Sequence, residues 1–138
     1  RPWPKRYFDE VRSIDELDAV LPDSDIVILS LPLTDETRHL IDARRFGLMK
    51  KGSVLVNIAR GPVVDTAALL AAARDGTLLG AAVDVCETEP LETQSELWEQ
   101  ENIILTPHNS FVGDGHTDSM FELIYADFRD YLSRQKEN

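Results

Sequence analysis

The sequence predicts an α/β protein built on an open parallel sheet with flanking helices, and three observations carry that prediction. Short apolar runs alternate with helix-like segments from one end of the chain to the other. Those runs are continuous and rich in β-branched residues, and each ends where polar residues begin. An apolar share of 43% in 138 residues is enough for one compact core and leaves little room for two. No internal repeat or low-complexity tract interrupts the pattern.

The elements follow in order. Ser13 and Glu16 form a capping-box pattern, which predicts a short helix burying Ile14, Leu17 and Val20 or Leu21 before Pro22 and Asp23 close it. The run Ile26-Val27-Ile28-Leu29 reads as a strand covered on both faces, stopped by Pro32. A second buried strand, Val54-Leu55-Val56, is entered through Lys51-Gly52 and left through Ala59-Arg60-Gly61-Pro62. Asp65 caps a helix in which Leu69, Leu70 and Ala73 share a face, and Gly76 supplies its left-handed stop. A third strand runs from Leu79 to Val83 and a fourth through Ile103-Ile104-Leu105. In the last helix Phe121, Ile124, Tyr125, Phe128, Tyr131 and Leu132 recur at spacings of three and four. Gly113-Asp114-Gly115 starts a dinucleotide-like glycine pattern, but Asp118 stands in the third glycine's place, so the segment reads as a turn and helix start.

Composition narrows the partners. A formal charge of -11 repels phosphate backbones and anionic lipid, which argues against nucleic acid and membrane surfaces and in favour of small ligands or proteins. No apolar run approaches the ~18 residues needed to span a bilayer. One cysteine, Cys86, makes no internal disulfide, and no Cys/His cluster has metal-ligand spacing, so the cytoplasm is the expected compartment and no metal is expected. Cys86 reads as a buried inert thiol, and His39 and His116 as structural or exposed.

In a parallel sheet, ligands bind at the carboxyl ends of the strands, and four such ends converge here: Ser30-Leu31-Pro32, Asn57 to Arg60, Asp84 to Glu89, and Thr106-Pro107-His108. Reduction of a 2-oxo acid asks a protein for a cation, a proton donor and a group that keeps the donor protonated, with hydride arriving from outside the chain. Arg60 fits the first task because a guanidinium makes two parallel hydrogen bonds to a carboxylate. His108 fits the second, and Glu87 or Glu89 the third. The same residues also fit blander tasks: a surface ion pair for Arg60, a backbone cap for His108, and a solvated acidic stretch for the glutamates.

Three stretches, read in order, resemble the D-isomer-specific 2-hydroxyacid dehydrogenase family. They are Ser24-Asp25-Ile26-Val27-Ile28-Leu29-Ser30-Leu31-Pro32-Leu33-Thr34 onward to Thr37 and Leu40-Ile41, then Met49-Lys50-Lys51-Gly52-Ser53 through Asn57-Ile58-Ala59-Arg60-Gly61 to Asp65, and Gly80-Ala81-Ala82-Val83-Asp84-Val85-Cys86-Glu87-Thr88-Glu89-Pro90-Leu91 followed by Leu105-Thr106-Pro107-His108. Together they span about residues 13 to 117. The resemblance implies that Arg60 binds the substrate carboxylate, that His108 is the acid/base, and that Glu89, before Pro-Leu, pairs with it in preference to Glu87. It implies that Asp84 holds the nicotinamide carboxamide of NAD or NADP, with Pro32, Thr37, Ile58, Ala59 and Arg60 along the cofactor. Ser30 stands where many members have histidine.

What the resemblance implies as a whole is a partial Rossmann-like, doubly wound sheet: residues 1–138 as the C-terminal part of a dinucleotide-binding domain, with the glycine-fingerprint half and the substrate-binding domain absent. Such a piece alone should bind NAD(P) poorly, for want of the helix N-terminus that grips pyrophosphate. Arg1 to Arg6 would follow the second strand of the whole domain, where cations could favour a 2′-phosphate. The expected activity is hydride transfer between NAD(P) and a small 2-hydroxy or 2-oxo acid of the glyoxylate, hydroxypyruvate or pyruvate type, in an enzyme that pairs as a homodimer. The alternative is a noncatalytic binding or assembly module that keeps the half-sheet as scaffold.

Overall fold

A computed structural model of the chain describes residues 8–113 and 116–135. Two compact units make it up, Arg1–His108 and Asn109–Asn138.

The first unit holds a four-stranded sheet in the order β1 (Ile26–Leu29), β2 (Ser53–Asn57), β3 (Leu78–Val83), β4 (Ile103–Leu105). Every neighbouring pair is parallel, with Val27 opposite Leu55, Leu55 opposite Ala81, and Ala81 opposite Ile103. Sequential order and parallel direction place all four carboxyl ends along one edge. The ladder continues beyond the strands: Ile58 N–H donates to Leu29, Asp84 N–H to Asn57 and Thr106 N–H to Val83. Three loops therefore leave the sheet already in register.

Three helices pack against it: α1 (Leu17–Val20), flanked by 3-10 turns Ile14–Glu16 and Leu21–Asp23; α2 (Ala43–Phe46); and α3 (Thr66–Arg74). Ser13 and Glu16 form the expected capping box, and Asp65 accepts from Ala68 N–H as the cap of α3. Gly76 adopts φ +77, the left-handed turn predicted after that helix. The helix α2 was not anticipated; four residues are too few to show a period, and Asp42 caps it through Arg45 N–H.

Leu21, Phe46, Leu55, Leu69, Ala73, Val83 and Ile103 belong to one core. It lies on a single face of the sheet, which corrects two expectations. Strand β1 is not covered on both faces: Val27 and Leu29 are buried, whereas Ile26 and Ile28 are 61% and 62% exposed. Successive strand residues point to opposite sides, and α1 to α3 pack on only one of them. Ile14 is likewise not buried but 53% exposed, because the first turn of its element is 3-10 and the burial begins at Leu17 and Leu21. The second unit contains α4 (His116–Gln135), whose Phe121, Ile124, Tyr125 and Phe128 are exposed. Asp114 and Gly115 of the glycine-like pattern and the basic Arg1 to Arg6 lie outside the described residues, as do the side chains of Tyr131 and Leu132 from the spacing pattern of the last helix.

Candidate active site

The carboxyl edge assembles from its backbone upward. After β4, Thr106 and Pro107 lead to His108, which takes a left-handed conformation with φ 53. Its N–H donates to the Asp84 carbonyl at 2.9 Å, tying the end of β4 to the end of β3. The hydroxyl of Thr106 donates to Asp84 Oδ1 at 2.5 Å, so the same aspartate is engaged through backbone and side chain. Asp84 is 5% exposed.

Beyond β3 the chain turns back on itself. Cys86 N–H donates to Glu89 Oε1 at 2.9 Å, and Glu89 Oε2 lies 2.8 Å from His108 Nδ1. The hydrogen bond with His108 and the one from Cys86 N–H outweigh a small burial cost and hold the Glu89 carboxyl below the ordinary glutamate range. An ionised carboxylate only accepts, so Nδ1 carries the hydrogen and donates. The Nε2 atom is thereby left as the ring's working nitrogen. Of the two glutamates left open by the residue types, Glu89 is the one brought to His108.

A cavity of about 360 Å³ opens here, lined by Asp84, Glu89, Leu91, Trp98, Thr106 and His108 among others. Cys86 borders it; burial, then the charges of Glu89 and Asp84, push its thiol pKa up, which suits the inert role expected of it.

Arg60 sits at the carboxyl end of the adjacent β2. Its guanidinium donates to the Ala59 carbonyl at 2.6 Å, and no hydrogen bond or ion pair joins it to Glu89 or His108. The expected trio thus consists of one made pair and an exposed arginine on the same sheet edge. Ala59 is buried and Ile58 exposed. Pro32 is exposed, while Thr37 is buried with its hydroxyl committed to the loop: it accepts from Thr34 N–H and donates to the Pro32 carbonyl. Thr37 shapes the loop that presents Pro32.

Asn57 is placed on the carboxyl edge by the sequence but given no role there; its side chain builds the turn that carries Arg60. Its Oδ1 accepts from Ala59 N–H at 3.1 Å and its Nδ2 donates to the Arg60 carbonyl at 3.3 Å. An asparagine at a strand end followed two and three residues later by a tight turn is the available signal. Thr106 likewise belongs to a carboxyl end legible in the sequence, but its hydrogen bond to Asp84 is visible only once β3 and β4 are adjacent.

Fold and edge together define the class, a Rossmann-like nucleotide-binding domain. The chain belongs to the family described as D-isomer specific 2-hydroxyacid dehydrogenase, NAD binding domain, whose family model matches residues 2–110. Among its relatives, a glyoxylate reductase of Pyrococcus horikoshii is 47% identical over 108 residues, covering 78% of this chain and 32% of the relative. A glyoxylate/hydroxypyruvate reductase B of Erwinia tasmaniensis is 48% identical over 93 residues, covering 67% and 29% respectively. A solved D-isomer specific 2-hydroxyacid dehydrogenase from Xanthobacter autotrophicus Py2, in complex with NADPH and MES, is 48% identical with a TM-score of 0.66, over 68% of this chain and 30% of that one. Phosphoglycerate dehydrogenase from Lactobacillus plantarum, 34% identical, superposes over 95% of this chain and 42% of that one with a TM-score of 0.78. The chain spans roughly a third of the length of the curated relatives it matches. Among the described residues, no helix is long and apolar enough to cross a membrane.

Proposed function

We propose that this chain is the catalytic part of the nucleotide domain of an NAD(P)-dependent reductase acting on a small 2-oxo acid of the glyoxylate, hydroxypyruvate or pyruvate type. The observation that carries the reading is the 2.8 Å contact between His108 Nδ1 and Glu89 Oε2 on the carboxyl edge of a parallel sheet.

The residues present fit the nicotinamide end of such a cofactor. Asp84 offers a buried carboxylate beside the cavity, Ile58 and Ala59 offer backbone, and Pro32 is presented by the Thr37-built loop. No G-x-G-x-x-G loop occurs in the sequence, so the pyrophosphate grip is not among this chain's own contributions. When bound, the nicotinamide supplies the hydride.

This chain's residues do the rest. Arg60 exchanges its hydrogen bond to the Ala59 carbonyl for two to the substrate carboxylate, orienting the ketone. His108 Nε2 donates the proton that converts the ketone oxygen to a hydroxyl. Glu89 keeps Nδ1 protonated and stabilises the imidazolium before transfer. In the reverse direction His108 takes the hydroxyl proton back.

The reading includes a cytoplasmic, homodimeric enzyme, supported by the single cysteine and the exposed apolar side chains of α4. The test is NADH- or NADPH-dependent consumption of glyoxylate, hydroxypyruvate and pyruvate by the protein that carries this chain. Replacing His108→Ala should lower turnover by about 100-fold or more, and Arg60→Ala should weaken both substrate capture and turnover. Undiminished turnover in His108→Ala would overturn the assignment.

A further inference from the structure

His39 lies 48 residues before Glu87, yet its Nε2 meets Glu87 Oε1 at 2.7 Å. Because an ionised carboxylate only accepts, Nε2 is the donor. The other oxygen, Oε2, accepts from Thr66 N–H at 2.9 Å, the first residue of α3. Burial opposes the charge on Glu87, but the hydrogen bonds from Thr66 and His39 outweigh it and leave the carboxyl below its ordinary range. Asp65, the cap of α3, faces the same imidazole with Oδ2 4.0 Å from Nδ1.

Glu87 and Glu89 flank one turn, and that turn carries two histidine–glutamate pairs. Glu89 faces the cavity and His108; Glu87 faces α3 and His39. The peptide between Cys86 and Glu87 is pressed against Gly61, and the Cys86 N–H is donated to Glu89. His39 itself is fixed by its backbone, with φ 49 and its N–H donated to the Pro62 carbonyl at 2.7 Å. It follows Thr37 by two residues, so its imidazole ties the loop expected along the cofactor to the turn that bears Glu89.

We propose that His39 is a positioning residue for Glu89: by holding Glu87 it fixes the turn that presents the Glu89 carboxylate to His108. Its importance for turnover rests on the function proposed above, whereas its effect on Glu89 is a property of the fold alone. A histidine serving only to cap or stiffen its own loop would leave Glu89 unchanged.

Two variants separate these roles. His39→Asn tolerates the left-handed backbone but is too short to reach Glu87, and His39→Gln keeps an N–H donor near the position of Nε2. Carbon-detected NMR titration of the Glu89 carboxyl in this chain should show its pKa rising toward the ordinary glutamate value in His39→Asn and staying low in His39→Gln. Should His39→Asn fail to fold, His39→Gly, which also tolerates the left-handed backbone and has no side chain to reach Glu87, should raise it in the same way. In the enzyme carrying this chain, His39→Asn should lower kcat roughly tenfold with KM for the oxo acid little changed, as expected of a displaced rather than deleted group. His39→Gln should recover most of that loss. A Glu89 titration identical in wild type and variant overturns the proposal whatever the activity. If the wild-type enzyme reduces no oxo acid, the function proposed above falls, and the titration still decides the role of His39.

Discussion

A Cβ placed on Gly61 would lie 1.9 Å from the carbonyl oxygen of Cys86 and 2.4 Å from the Glu87 nitrogen. Two loops of the carboxyl edge, one bearing Arg60 and the other Glu89, therefore touch backbone to backbone, and only glycine fits between them. Both contacted atoms are main chain, so no side-chain rotation relieves the clash. Gly61→Ala should cost about 3 kcal/mol of stability, at the upper end of overpacking effects, read from the urea midpoint of this chain. It should also part Arg60 from Glu89 and so depress oxo-acid reduction beyond what the stability loss explains.

Glu89→Gln tests the carboxylate without changing its size. The amide has a single oxygen: turned to Cys86 N–H it presents its NH2 donor to His108 Nδ1, and turned to His108 it offers only a neutral acceptor and leaves Cys86 N–H unpaired. A donor there would force the proton onto the other nitrogen, and a neutral acceptor would no longer stabilise the imidazolium. Turnover in the enzyme carrying this chain should fall about 100-fold with KM for the oxo acid nearly unchanged, checked by steady-state kinetics.

These residues also mark what can be read without coordinates. Strand positions are legible because apolar runs such as Ile26–Leu29 are bounded by polar or turn-forming residues, and the carboxyl ends bearing Arg60, Asp84 and His108 are legible as a place for ligands because parallel sheets bind them there, whereas the roles of those three residues come from the family resemblance. Which face was covered could not be read from Ile26-Val27-Ile28-Leu29, since a continuous apolar run has no alternation to reveal an open side. Contacts at long separation were equally hidden. His39 to Glu87 and Thr106 to Asp84 depend on how loops meet after the strands pair, and local patterns carry no trace of them. Arg60 was placed at the correct edge, but its resting hydrogen bond to Ala59 was beyond any spacing argument.

Acid should loosen the clamp that ties α1 to α2. Asp18 accepts from Arg44 and from Arg45, and these hydrogen bonds hold its carboxyl at about 2 against an ordinary 3.8. A depressed folded-state pKa contributes stability that is complete above the unfolded value and is lost as pH falls through the folded one. The Asp18 contribution should therefore be present at neutral pH and disappear between about pH 4 and pH 2. Asp18→Asn should unfold more easily than wild type at neutral pH, with the two urea midpoints converging across that window. Added salt should narrow the gap, since the pair is solvent-exposed.

Ser53 and Asn57 stand at the two ends of β2, on the same face and each only 1% exposed, and they should respond to alanine in opposite directions. The Ser53 hydroxyl is buried without a hydrogen-bond partner among the described residues. Leaving a hydroxyl so placed costs roughly 1–3 kcal/mol, and Ser53→Ala removes the oxygen while losing little volume. Stability should rise by about 1 kcal/mol, the small new void taking back part of the gain. Asn57 is the reverse case, because both ends of its amide are used. Asn57→Ala strands Ala59 N–H and the Arg60 carbonyl at a turn where Ala59 is buried, which should cost about 2 kcal/mol. Urea unfolding of the two variants with unchanged slopes separates the cases. If Ser53→Ala instead destabilises by as much as Asn57→Ala, the hydroxyl has a partner and its burial is not a strain on β2.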